Sequence, residues 1–151
     1  MTTLAPGSEP AGLIRRLAAI LYDTLVLIAV LLVAAVPFDL IARGAPTSEA
    51  GRHLFQFYLL VVAFLFFGWF WVHGGQTLGM RAWRLRVVNR AGGAVSWSQA
   101  LLRFLAALLS WVPFGAGYLW VLADRDRCTW HDRLSGTRMI VIPKDVGALS
   151  S

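Results

Sequence analysis

The sequence predicts an all-α membrane protein: a small bundle of two full transmembrane helices plus a bent or re-entrant third hydrophobic hairpin, with a small cytoplasmic β element. Three observations predict it. Apolar residues make up 58% of the 151 and charged ones only 15%. The apolar residues fall into three long tracts, and the basic residues flank those tracts. A water-soluble domain this short could not hide so much apolar surface, because small domains bury a smaller share of what their unfolded chains expose.

The elements follow in order. Residues 1–12 read as a disordered N-terminus. Leu17 to Val36 is the first tract, interrupted by Asp23 and Thr24, and the span it seeds is placed at 17–39. Leu54 to Val72 is the second, with Gln56 its one strongly polar residue. Each is close to the roughly 20 residues a helix needs to cross a hydrocarbon core of about 30 Å. A cleaved signal peptide is the competing reading of the first tract, since Arg15 and Arg16 precede it. Its apolar run outlasts a signal h-region and carries a charge, so the segment is expected to stay attached.

After the second tract, Trp83, Leu85 and Val87 alternate with Arg84 and Arg86, a half-buried strand pattern over 82–88, and NRAGG supplies a turn. Ser96 with Gln99 makes a capping box that opens the next helix. The third tract, 97–123, contains Pro113, Gly115 and Gly117, which provide a place to reverse direction. Residues 97–112 and 117–123 then form the two legs of a hairpin, although a single kinked span with the tail outside remains open. Residues 137–142, closed by Pro143, are a second strand candidate, and 143–151 read as a disordered tail. The membrane domain is therefore placed at 13–142.

Arginine distribution separates the two topologies. If the third tract crosses fully, six basic residues face seven across the membrane; if it turns back, eleven face two. Only the second obeys the positive-inside rule, and it puts both termini in the cytoplasm. The single cysteine, Cys128, rules out an internal disulfide. The net charge of +6 sits beside membrane spans, so anionic lipid, not nucleic acid, is the expected counterpart. Arg81, Arg84 and Arg86 are the expected head-group contacts.

An ionised aspartate inside a span asks for a partner, a water-filled cavity or protonation. Arg16 lies seven residues from Asp23, on the same helical face, but about 10 Å away along the axis. Arg103 lies seven residues after Ser96 and reaches a matching depth. The reading is an intramembrane Asp23–Arg103 pair capped by Arg16 from the interface; the alternative is that each side chain snorkels to water separately. His131 and Asp132 are candidate proton acceptors near the cytoplasmic mouth, with His131 a possible relay.

Other signals point elsewhere. GGQTLGMR lacks the ending of a phosphate-binding loop and reads as a turn leading into a strand. Cys128, His131, Asp132 and His73 do not make a convincing zinc set, and no metal or other cofactor is expected. Trp69, Trp71, Trp97 and Trp120 fit an interfacial aromatic belt. No nucleophile–base–acid arrangement is visible, so catalysis is not expected.

Three blocks in order, GLIRRLAAILYD, GGQTLGMRAWRLRVV and TWHDRLSGT, resemble the RDD family of small bacterial membrane proteins and cover about residues 11–142. On this resemblance the family arginine falls on Arg16 and its two aspartates on Asp23 and Asp132. The resemblance implies the bacterial inner membrane and, from members described as sodium/proton antiporters, a cation or proton site at Asp23 with Asp132 at the cytoplasmic entrance. With so few spans, a transporter of this kind has to be a homo-oligomer. The other reading is a non-transporting scaffold, assembly or lipid-binding subunit whose buried charges specify packing.

Overall fold

A computed structural model describes residues 9–42, 48–111, 119–124 and 128–143. Two long helices dominate it: α1, Leu13–Ala42, and α2, Glu49–Val72. The expected spans at 17–39 and 54–72 fall inside them, and α1 runs on through Pro37. Ser48 starts α2 by accepting the Gly51 N–H at 3.1 Å, with Glu49 in the first turn favouring the positive end of the helix dipole. At about 1.5 Å per residue, 24 residues extend some 36 Å, enough to cross a bilayer core.

The outward faces of both helices are apolar and bare. Leu25, Leu32 and Val33 on α1 and Leu54, Phe57 and Leu65 on α2 are exposed. In the most apolar stretch of each helix only 11% and 17% of residues are buried. The core helix of a soluble protein would be mostly covered, so these surfaces suit lipid.

The chain then turns tightly. Gly75 adopts φ 71°, and a side chain there would collide with the Val87 carbonyl that closes over it. A short helix α3, Leu78–Ala82, follows, capped by Thr77, whose hydroxyl accepts from Met80 N at 3.2 Å. The strand expected over 82–88 therefore begins later: Ala82 closes α3, Trp83 is its exposed C-cap, and β2 is Leu85–Asn89. The apolar–basic alternation of AWRLRVV was compatible with a strand throughout. The local caps decide otherwise.

Helix α4, Trp97–Trp111, opens on the anticipated capping box: Ser96 N–H donates to Gln99 Oε1 at 3.1 Å and Gln99 N–H to Ser96 Oγ at 3.2 Å. It packs on α2 through Phe104 against Phe64 and Phe67, with ring centroids 5.5 and 6.5 Å apart. Its 15 residues extend about 22 Å, less than a full crossing. The turn expected around Pro113, Gly115 and Gly117 lies outside the described residues. Of the second hairpin leg expected over 117–123, residues 119–123 are described, and Trp120–Leu122 forms a 3-10 turn there.

Helix α5, Trp130–Ser135, and β3, Thr137–Val141, are the last described elements. β3 pairs antiparallel with β2 in the register Val87 to Met139, and a two-residue strand β1, Glu9–Pro10, pairs along its other side, giving the order β1-β3-β2. The N-terminus is thus structured further than the expected 1–12 disorder allowed. Ala11 N–H donates to Met139 O at 3.1 Å, and Ala11 is fully buried. Proline is tolerated at position 10 because β1 is an edge strand.

One sheet therefore gathers the start of α1, the end of α2 and the C-terminal segment at one end of the helices. Leu85, Val87, Met80 and Met139 from this end join Ala19, Trp71 and Phe104 from the helices in a single apolar core.

Candidate functional site

Four ionic side chains are buried among the described residues: Arg16 and Asp23 on α1, Arg103 on α4 and Asp132 on α5, each 3% exposed or less. Two cations and two carboxylates balance. They are distributed differently from the sequence reading, however.

Asp132 is the hub. Thr129 caps α5 and forms a reciprocal capping box with it: Asp132 N–H donates to Thr129 Oγ1 at 3.4 Å, and Thr129 N–H to Asp132 Oδ2 at 3.2 Å. That box fixes the carboxylate's direction. Arg16 Nη1 donates to Oδ2 at 2.7 Å, and Arg103 Nη1 donates to Oδ1. Arg103 Nη1 also reaches Thr137 Oγ1 at 2.8 Å, while Arg16 Nε donates to the Ala11 carbonyl at 3.0 Å. The network joins α1, α4, α5, β3 and the residue after β1. Arg103 is held further by the Trp71 ring, whose centroid lies 5.2 Å from its guanidinium carbon.

Asp23 takes another partner. Its Oδ2 accepts from the Thr77 hydroxyl and its Oδ1 from Gly79 N–H at 2.8 Å, so the carboxylate binds the first turn of α3. Gly79 is required by this closeness: a Cβ would lie 2.9 Å from Asp23 Cγ and still nearer the Ala19 carbonyl. The expected Asp23–Arg103 pair is therefore corrected. Both residues line one cavity, but α5 brings Asp132 directly to Arg103 and α3 brings neutral donors to Asp23. Arg16 likewise serves Asp132, in place of capping Asp23 from the interface.

The same geometry corrects the proton-acceptor roles expected of His131 and Asp132. Burial alone would raise the Asp132 carboxyl, but Arg103 and Arg16 outweigh it and hold the group well below the usual carboxylate range. His131 is buried beside the hub, its Nε2 2.9 Å from Thr129 Oγ1. Burial, reinforced by the charge of Arg103, pushes its imidazole down to about 3. Asp132 thus stays ionised and His131 neutral at ordinary pH.

The remaining expectations divide. Arg81, Arg84 and Arg86 are exposed around α3 and β2, with Arg86 Nε donating to the Gly74 carbonyl at 3.0 Å. Trp69, Trp97 and Trp120 are exposed as an aromatic belt requires, whereas Trp71 is buried against Arg103 and leaves that set. His73 stacks on Trp69 with centroids 3.9 Å apart, away from the hub. No group of three or more His, Cys, Asp or Glu side chains is placed to hold a metal among the described residues.

Sequence reasoning missed Thr77, Gly79, Thr129, Thr137 and Trp71. Thr129-x-x-Asp132 was readable as a capping box of the kind recognised at Ser96. Nothing comparable marked Thr137.

A cavity of about 260 Å³ lies between α1, α2 and α4, with Asp23, Arg103 and His131 on its wall and Leu27, Leu60 and Leu108 among its apolar lining. Two long helices with bare apolar faces, the first tied by buried charges to the sheet end, define a membrane-associated protein. The chain belongs to the RDD family, whose model matches residues 10–136. Neither the curated proteins nor the solved structures give a match.

Proposed function

We propose that the protein is a multi-pass inner-membrane exchanger of a cation against protons, working as a homo-oligomer with Asp23 as its ion site. Sodium is the cation this reading favours, and a small solute is the variant of it. The observation that carries the proposal is the division of labour among the buried charges. Asp132 is locked between two guanidiniums, whereas among the described residues Asp23 is held only by a hydroxyl and a backbone N–H, at the wall of the inter-helix cavity. A carboxylate neutralised by arginine has nothing to exchange. One held by neutral donors can take up a proton or a cation, and doing so weakens its hold on α3. The load state of Asp23 is thereby coupled to the position of a short helix at the end of the bundle.

The orientation proposed is with both termini in the cytoplasm, supported by the eleven-to-two split of basic residues and by the meeting of β1, β2 and β3 in one sheet. Flux in proteoliposomes tests the function. Uptake of sodium driven by a pH gradient, present in the purified protein and lost in Asp23→Asn, is the expected outcome; no flux from pure protein overturns it.

A second reading, a non-transporting lipid-binding or assembly subunit, is favoured by the exposed Arg81, Arg84 and Arg86 at the sheet end. Their charge would engage anionic head groups, and neither reading involves catalysis. Binding to anionic but not zwitterionic vesicle surfaces that falls with salt, in a protein without flux, selects it.

A further inference from the structure

We propose that the cavity between α1, α2 and α4 is a binding site for a neutral, membrane-soluble molecule with a carbonyl head and an apolar body. Its volume, about 260 Å³, exceeds the roughly 150 Å³ known to hold a benzene-sized guest in an apolar cavity. Two of its lining residues carry buried N–H groups with no hydrogen-bond partner among the described residues: Trp71 Nε1 and Arg103 Nε. Both residues are more than nine-tenths buried. Such donors are costly to leave unmet, so two beside one void ask for an acceptor.

The two unmet donors lie toward one end of the cavity. Counting from the sheet end, Trp71 is one residue from the end of α2 and Arg103 is six from the start of α4. Leu60 and Leu108 lie about 18 Å and 16 Å from the same helix ends. A guest would therefore place its polar head toward the sheet and its body toward the bilayer centre. A neutral head fits better than an anionic one, because the Asp23 carboxylate shares the wall. A carbonyl meets these terms. It accepts from N–H groups, carries no charge and partitions into lipid, and it occurs both in quinone rings and in acyl esters. Asp23 shares this wall, but the test reads binding, not flux, so its outcome is separate from that of ion exchange.

The test is saturable binding of two tritiated probes, a decyl-substituted 1,4-benzoquinone and methyl laurate, to the full chain in phosphatidylcholine nanodiscs, with empty nanodiscs subtracted. At least one probe is expected to saturate at one site per chain, and the tighter one identifies the source. Ala107→Leu adds bulk to the wall at a residue outside the charge network and is expected to abolish binding. Trp71→Phe keeps a ring but deletes the N–H, and is expected to weaken binding about tenfold. No saturable binding of either probe, or binding unchanged by Ala107→Leu, overturns the site. Unchanged affinity in Trp71→Phe overturns the head-group assignment.

Discussion

Asp132 accepts from two guanidiniums and from the Thr129 N–H while fully buried, so removing its charge leaves two cations in the interior. Asp132→Asn is expected to cost about 3–5 kcal/mol, seen as a large fall in the thermal midpoint in detergent. His131 gives a pH signature. Its folded value of about 3 lies below its ordinary 6.5, so between those limits the unfolded chain binds the extra proton. Stability should therefore be retained above pH 6.5 and fall by about 1.4 kcal/mol per unit as pH drops through the window. Asp132 is also depressed, and its contribution is lost only below the ordinary carboxylate value near 3.8. His131→Gln should flatten the profile between pH 6.5 and 4 and leave the more acidic limb, as followed by denaturant unfolding at each pH.

At the scale of elements, α3 depends on a side chain outside itself. Five residues cannot sustain a helix alone, since nucleation costs more than so few hydrogen bonds return. Thr77 and the Asp23 carboxylate provide the missing partners. Gly79→Ala should push α3 off α1 and lower the thermal midpoint, while Ala82→Ser, at an exposed position of the same helix, should be nearly silent. How legible each element was follows from where its determinants lie. The spans and the Ser96 cap were visible because hydropathy and capping are written within a few neighbouring residues. β1 was not, because two residues, one of them proline, become a strand only where β3 offers them an edge. The partner of Asp23 was hidden for a related reason. Of its two donors, one is a backbone N–H that no residue type advertises, and the other, the Thr77 hydroxyl, lies 54 residues away.

For the whole molecule, the sheet makes a topological demand. β1 precedes the first span and β3 follows the third tract, yet both pair in one sheet. Reporters fused to the two ends should therefore give the same signal, cytoplasmic on the charge distribution, and one inserted between α1 and α2 the opposite signal. Asp23 and Arg103, read together from the sequence, do line one cavity. Their true partners were not legible, because the competing carboxylate lies 29 residues after Arg103 and its approach depends on how α5 returns to α4.

Arg16 lies near the beginning of the chain, and its carboxylate lies 116 residues later. During synthesis the first span enters the bilayer long before that counter-charge exists, and it has to wait with its guanidinium at the aqueous boundary. A segment made 116 residues later is thus the part that latches the first span. Nascent chains arrested before Thr129 should remain open to protease at the sheet end, and release of the following dozen residues should close them.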